Sequence, residues 1–326
     1  MSQAIIIRKY GAPDVLQIED IEVGAPEYGE LRIRQTRIGV NFHDTYVRSG
    51  YYQTLSLPGV PGCEGVGVVE AIGSGVEGFS IGDRIAYVSN TYGCYATERT
   101  LPAKLAVKLP NFIDDTLAAS VFMKGLTVEI LVNRVASLKS KDWILVHAAA
   151  GGVGQLLVQW AVKLGVKVIG TVGSDEKVEV ARKVGCSEVI LYSKENTAKL
   201  VHEITGGKGV DIVYDSVGKD TLLSSIDSLA TFGHIVSFGQ SSGNPEPLLL
   251  AQLAKRSNTL SRPMLPHYLH NNTVLQEISH SLFSMLEVGG LKSEKPLSFP
   301  LYAAYKAHKV LESRQSVQPI ILDTSQ

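Results

Sequence analysis

Long apolar runs are missing from this 326-residue chain. No stretch approaches the roughly 20 apolar residues of a membrane span, and MSQAIIIRKYG has too short an apolar run for a signal peptide. Cysteine is scarce. Cys63, Cys94 and Cys186 are widely spaced, so they give neither a disulfide framework nor a CxxC metal pair. A reducing compartment follows, and the cytoplasm is the expected location. Surplus charge is absent too. A net charge of -1 argues against nucleic acid or an anionic membrane as a partner held by bulk electrostatics. Lys139, Lys141, Lys163 and Lys167 are scattered and read as solvated helix and loop ends, not as a basic patch.

What remains is a globular composition, 44% hydrophobic and 19% charged, in a chain long enough for two domains. The first third reads as strands. Segments 5–8, 31–38, 65–72 and 84–88 are rich in β-branched residues and bounded by turns such as Gly73-Ser74-Gly75 and Ile81-Gly82-Asp83. A partly barrel-like antiparallel domain is expected. Near Lys124 the pattern changes to strand–helix alternation: strands at 143–148, 166–171, 189–192, 210–214 and 235–238, with helices at 155–164 and 176–184. That implies a parallel sheet covered on both faces. Helices at 274–288 and 303–311 and a strand at 319–322 follow. The tail is expected to return to the first domain, which gives 1–123 and 266–326 for one domain and 124–265 for the other.

The strongest local signal is Trp143-Ile-Leu-Val-His-Ala-Ala-Ala-Gly-Gly-Val-Gly154, a buried strand running into small residues and then a helix. Gly151 lets backbone approach a pyrophosphate, Gly154 permits close helix–strand packing, and the amides opening the helix attract phosphate charge. Ala149 stands where the strict G-x-G-x-x-G pattern has its first glycine. The second strand ends Ile169-Gly-Thr-Val-Gly-Ser174 with no carboxylate at its tip, where an NAD site usually holds one for the ribose. Gly173 and Ser174 leave room for a 2′-phosphate, and Lys177 is one turn into the next helix. Asp175 and Glu176 are the competing feature, since either can turn toward the ribose. NADPH is the expected cofactor. His147 and Asp215 end strands beside this groove and read as structural, and Trp143 and Trp160 read as packing residues.

The chain resembles the quinone oxidoreductases (zeta-crystallin type) of the medium-chain dehydrogenase/reductase superfamily. The resemblance is carried by Asn41-Phe-His-Asp-Thr-Tyr-Val-Arg-Ser-Gly50, Pro61-Gly-Cys-Glu-Gly-Val-Gly67, Lys124-Gly-Leu-Thr127, 147–154, Tyr214-Asp-Ser-Val-Gly218 and Ser237-Phe-Gly239. It implies a GroES-like β-barrel domain beside a Rossmann domain, an α/β architecture with NADPH in the cleft between them. By position it implies that Asn41 and Thr127 flank the nicotinamide and that Ala150, Gly152 and Val153 meet the pyrophosphate. Gly173, Ser174, Lys177 and Tyr192 would hold the adenosine end. Ser216, Val217, Phe238, Gly239 and Ser241 would line the groove, with Arg262 and Leu265 near the domain crossover. Relatives often carry a glycine and a polar residue in a late loop, where this chain reads Ser316-Val-Gln-Pro319.

Zinc alcohol dehydrogenases of the superfamily hold their metal with Cys and His. Here Asn41 replaces the cysteine and Cys63 the histidine, and the four-cysteine structural lobe is missing, so no metal is expected. Cys63, Glu64 and His43 remain the alternative ligand set. Without a Lewis acid the chemistry should favour acceptors already electrophilic. Asn41, Tyr46 and Tyr52 are the candidate catalytic residues; the two tyrosines, in the loop after Asn41, would offer hydrogen bonds to a developing oxyanion. A quinone reductase is expected. An NADPH-dependent 2-alkenal or enone reductase is the alternative, and a non-catalytic crystallin-like or RNA-binding protein that retains NADPH is a third. A homodimer is expected as well, because segment 247–262 should supply an edge strand that a second copy covers.

Overall fold

The computed structural model describes residues 2–269 and 271–325. It divides into two compact units: Met1–Lys124 with Asn271–Ser279 and Ser293–Gln326, and Gly125–His270 with His280–Lys292. The sequence places the return at residue 266. The structure places it at 271, and residues 280–292 belong with the second unit. That last division falls inside one uninterrupted helix, Asn272–Glu287, where no change of composition marks it.

In the first unit, β1 (Ser2–Ile6) and β2 (Gln17–Ile21) form an antiparallel pair. The larger sheet uses β3 (Glu30–Gly39), β4 (Glu64–Ile72), β5 (Arg84–Val88), β6 (Glu98–Pro102) and β7 (Ala106–Lys108). The ten-residue β3 pairs with both β4 and β6. Alternation along it sends Leu31 and Ile33 inward to join Ile5, Ile85, Tyr87, Tyr95 and Leu101 in one core. Its far end, Arg37–Gly39, pairs with the last strand of the chain, Ile320–Asp323.

The second unit holds six parallel strands: β8 (Trp143–Val146), β9 (Lys167–Val172), β10 (Glu188–Leu191), β11 (Val210–Asp215), β12 (Leu229–Ser237) and β13 (Thr259–Ser261). Their spatial order is β10-β9-β8-β11-β12-β13. Chain progress reverses between β8 and β11, the place where doubly wound sheets bind dinucleotides. The strands are apolar runs because both faces are covered; Ile144, Leu145, Val146 and Val213 are fully buried. β13 lies at the sheet edge, with Leu260 exposed on it and Phe232, Leu249 and Leu250 also exposed.

Several helices escape the periodicity analysis, and two of them bear on the site. Asp115–Ile130 is apolar nearly all round, so it shows no amphipathic stripe. Phe42–Ser49 is eight residues and carries three aromatic or histidine rings, Phe42, His43 and Tyr46. Tyr46 therefore sits on a helix, not in a loop; Tyr52 follows the helix. Among the described residues no helix is long and apolar enough to cross a membrane.

Candidate functional site

The turn after β8 is built for close backbone approach. Ala148 adopts a left-handed φ of 52°, an uncommon state for alanine. Gly151 then caps helix Gly152–Lys163 without a side-chain hydrogen bond, which leaves the opening amides for a ligand. A Cβ on Gly154 would overlap the Ala148 carbonyl oxygen and lie 2.9 Å from Ala149 Cα. So Gly154 is fixed by packing, and Ala150, Gly152 and Val153 stand at the helix start. Gln155 secures the turn by donating from Nε2 to the Ala150 carbonyl at 2.8 Å.

At the tip of β9, Ser174 precedes helix Asp175–Lys183. Gly173 is covered by Tyr192: a Cβ there would stand 2.6 Å from the tyrosine hydroxyl. Tyr192 itself is half exposed. The two carboxylates that compete for a ribose are both engaged. Asp175 accepts from Lys194 Nζ at 2.9 Å, and a hydrogen bond from Ser174 holds the Glu176 carboxyl below its ordinary range. Lys194 is a residue the sequence analysis missed. Its signal was faint, one lysine two positions after Tyr192, and only the fold brings it beside the second strand's tip.

The loops after β11 and β12 are pinned to each other. Asp215 is fully buried and accepts from Val217 N at 2.8 Å, Gly218 N at 3.0 Å, Thr221 Oγ1 at 2.8 Å and Ser225 Oγ at 2.9 Å. Ser225 spends its one proton on Asp215, so His147 Nε2 must donate to Ser225 Oγ at 3.0 Å. Neutral His147 then accepts at Nδ1 from Thr171 Oγ1; burial lowers its pKa. Ser241 N and Ser242 N donate to the carbonyls of Ser216 and Val217. Gly239 has no room for a side chain, since a Cβ would lie 2.6 Å from the Ser216 oxygen. Arg262 holds the second loop, donating to the carbonyls of Ser237 and Gly239 at 3.0 Å and to Gln240 Oε1 at 2.9 Å. Its guanidinium thus shapes the groove wall. Ser216, Val217, Phe238 and Ser241 are partly exposed along these loops, and Leu265 opens the short helix Leu265–Tyr268. Thr127 lies on helix Asp115–Ile130.

The first unit gathers the residues expected to meet an acceptor. Asn41 N donates to Asp44 Oδ2 at 2.8 Å, and Asn41 Nδ2 donates to Glu64 Oε1 at 2.7 Å. Beyond Asn41 the rings of Phe42, His43, Tyr46, Tyr51, Tyr52 and Tyr92 form a cluster. Tyr46 meets Tyr52 edge-on at 5.2 Å, and His43 lies 5.5 Å from Tyr52. His43 Nε2 is 3.3 Å from Tyr92 Oη, and burial lowers the His43 pKa. Behind this face Tyr95 donates to Asp44 Oδ2 at 3.0 Å and stands 2.9 Å from His308 Nε2. Burial raises the Asp44 carboxyl to about 7 and lowers His308 to about 3.

Two models of known families match: an alcohol dehydrogenase GroES-like domain over residues 27–111 and a zinc-binding dehydrogenase over residues 152–280. A quinone oxidoreductase of Pseudomonas aeruginosa is 42% identical over 99% of both chains. The chain belongs to the quinone oxidoreductase family of the medium-chain dehydrogenase/reductase superfamily. A 2-haloacrylate reductase of a Burkholderia species is likewise 42% identical, over 99% of each chain. Among solved structures, the Escherichia coli quinone oxidoreductase complexed with NADPH superposes with a TM-score of 0.95. It is 40% identical and covers 98% of this chain and 99% of its own.

The alternative metal set of Cys63, Glu64 and His43 is engaged elsewhere among the described residues. Burial pushes the Cys63 thiol well above its ordinary range, away from the thiolate a metal needs. Both Glu64 oxygens are occupied, Oε1 by Asn41 and Oε2 by the Met123 amide at 2.9 Å. No cluster of three or more His, Cys, Asp or Glu suited to a metal occurs among the described residues.

Proposed function

We infer that this chain is an NADPH-dependent quinone reductase. The carrying observation is the nucleotide cradle. It has a glycine turn at the sheet's switch point, no free carboxylate at the tip of β9, and Ser174, Lys177 and Tyr192 around that tip. NADPH fits these residues: Ala150, Gly152 and Val153 would hold the pyrophosphate, and Gly173, Ser174, Lys177 and Tyr192 the phosphorylated adenosine. Ser216, Val217, Phe238, Gly239 and Ser241 would line the remainder, with Arg262 and Leu265 behind them and Thr127 toward the nicotinamide. When bound, NADPH supplies hydride. The chain's own part is to orient the acceptor and meet the negative charge that gathers on it. Asn41 is held by two hydrogen bonds for that task, and Tyr46 and Tyr52 offer flat faces to a planar acceptor. A quinone or conjugated enone spreads the added charge over its own π-system, so it needs no metal.

The test follows NADPH loss at 340 nm with 1,4-benzoquinones and, separately, with enones and 2-haloacrylates. Faster turnover of quinones supports the reading. Preference for the alkenes supports the enone reductase alternative, which the Burkholderia relative favours. We further propose a homodimer in the cytoplasm, formed by pairing the β13 edge, where Phe232, Leu249, Leu250 and Leu260 are exposed. Sedimentation giving a concentration-independent monomer overturns the dimer.

A further inference from the structure

One ammonium in the first unit is buried with its hydrogen-bonding capacity unused. Lys124 is 8% exposed, and its Nζ is shielded from solvent without a hydrogen-bond partner. Its ion-pair partner, Glu64 Oε1, stands 3.8 Å away, beyond hydrogen-bond length. Glu64 is not free to come closer. Asn41 Nδ2 holds one oxygen at 2.7 Å and Met123 N the other at 2.9 Å. The chain also makes space for the carboxylate in this position: a Cβ on Gly39 would overlap it.

An ammonium carries three donors. A buried donor left unmade carries a desolvation cost, larger when the group is charged. A missing acceptor of that kind is explained by a ligand that supplies one. The surroundings restrict its chemistry. The ligand atom must accept hydrogen bonds and must arrive beside Asn41. A phosphate or carboxylate would bring a full negative charge up against Glu64, which already balances the lysine. A neutral carbonyl escapes that repulsion on binding, and its oxygen turns negative only as the reaction proceeds. Interactions that strengthen in this way lower the barrier instead of merely tightening binding.

We propose that Lys124 is a catalytic residue: its ammonium donates to the carbonyl oxygen of the acceptor and stabilises the charge gathering there, with Glu64 as the positioning residue that sets the lysine in place. The proposal rests on the reductase reading above. It covers quinones and enones alike, since both present a carbonyl oxygen. The nicotinamide carboxamide is a second source of such an oxygen, and the experiment separates the two.

Lys124→Met and Lys124→Arg are compared with the unaltered chain by steady-state kinetics with 1,4-benzoquinone and by fluorescence titration with NADPH. The neutral variant should lose on the order of 10²–10³ in kcat/KM, with the NADPH Kd within about twofold of the unaltered value. The arginine variant should recover part of the loss. Across ring-substituted benzoquinones of rising electron demand, the neutral variant should show a steeper dependence of rate on substituent, because the acceptor must then carry the charge alone. A purely structural lysine leaves that slope unchanged. Binding of 4-nitrophenolate, an aryl oxide that mimics the charged oxygen, should weaken about tenfold or more without any turnover. Retained kcat/KM in Lys124→Met, an unaltered slope, or a loss that follows a weakened NADPH Kd overturns the proposal; the last outcome assigns the lysine to the carboxamide. A chain that binds NADPH yet reduces neither quinones nor enones overturns the reductase reading and this proposal together.

Discussion

Two aspartates in this molecule are wholly buried, and each reaches a buried histidine through one hydroxyl group. Asp215, below the nucleotide loops, collects two amides and two hydroxyls on its two oxygens. Asp44, behind the aromatic face, collects the Asn41 amide and the Tyr95 hydroxyl on Oδ2, with the Cys63 thiol also at its carboxyl. The two differ in how many donors are aimed at them. Four donors make Asp215 a rigid template for the loop 216–218. Burial raises the Asp44 carboxyl to about 7, and the donors it has offset this only in part.

The largest expected effect breaks the well-filled partner. Asp215→Ala strands Val217 N, Gly218 N, Thr221 and Ser225, and should cost about 3 kcal/mol or more. Urea unfolding measures the stability, and NADPH titration should show the groove loosened as well. A loss below about 1 kcal/mol would mean that the network is dispensable.

The next effect is a matter of sign. Asp44 has its folded pKa raised from 3.8 to about 7. Its contribution to stability is fully present below 3.8 and is lost as pH rises through 7. His308 is lowered from 6.5 to about 3, first by burial and then by Arg48. Its contribution is present above 6.5 and is lost as pH falls toward 3. Between roughly pH 4 and 6.5 the two slopes oppose each other. Asn and Gln keep the neutral forms, so Asp44→Asn should differ most from the unaltered chain at the upper end of this window, and His308→Gln most at its lower end. Urea midpoints across the window check both; parallel profiles for the two variants would defeat the assignment.

Smaller still is Tyr95→Phe, which removes the hydroxyl between Asp44 and His308. About 1–2 kcal/mol should be lost, and the Asp44 pH dependence should steepen in the same titration, because the lost hydroxyl had held the carboxyl down. Smallest is Lys194→Ala. Its pair with Asp175 is exposed on both sides, so thermal stability should change by no more than about 0.5 kcal/mol. Releasing Asp175 should nevertheless lower the ratio of NADPH to NADH affinity several-fold, which titration with both cofactors reads directly.

Much of the second unit was legible because it repeats a local rule. A strand buried on both faces is an apolar run, so β8 and β9 stand out from their residues alone, and the glycines of the turn at 148–154 mark the helix after β8. The expected strands fall within a few residues of β8 to β11. β12 begins at Leu229, six residues before the expected start, because Thr231 and Phe232 are exposed and break the apolar run. The first unit was legible as strands and as its late helix Ala304–Glu312, but Phe42–Ser49 was not. Phe42–Ser49 reads as a loop because its buried residues include Asp44 and Arg48, polar groups that conceal the apolar face. Asn41 and Tyr52 could be named from the family resemblance. Lys194 and Lys124 could not be assigned a role, since a lysine in sequence is most often a solvated one.

The amino-acid order by itself determined the glycine turn, the apolar strands and the replacement of metal-binding cysteine by Asn41, because these depend on residue type and near neighbours. Only the tertiary structure decided which polar groups are satisfied. It gave Asp215 four donors and Asp44 fewer, engaged Asp175 with Lys194, and left the Lys124 ammonium 3.8 Å from a carboxylate held by others. Some of these bonds are local, as those to Asp215 are, but others join atoms 59 to 213 residues apart, Met123 with Glu64 and Tyr95 with His308, and no local pattern carries those.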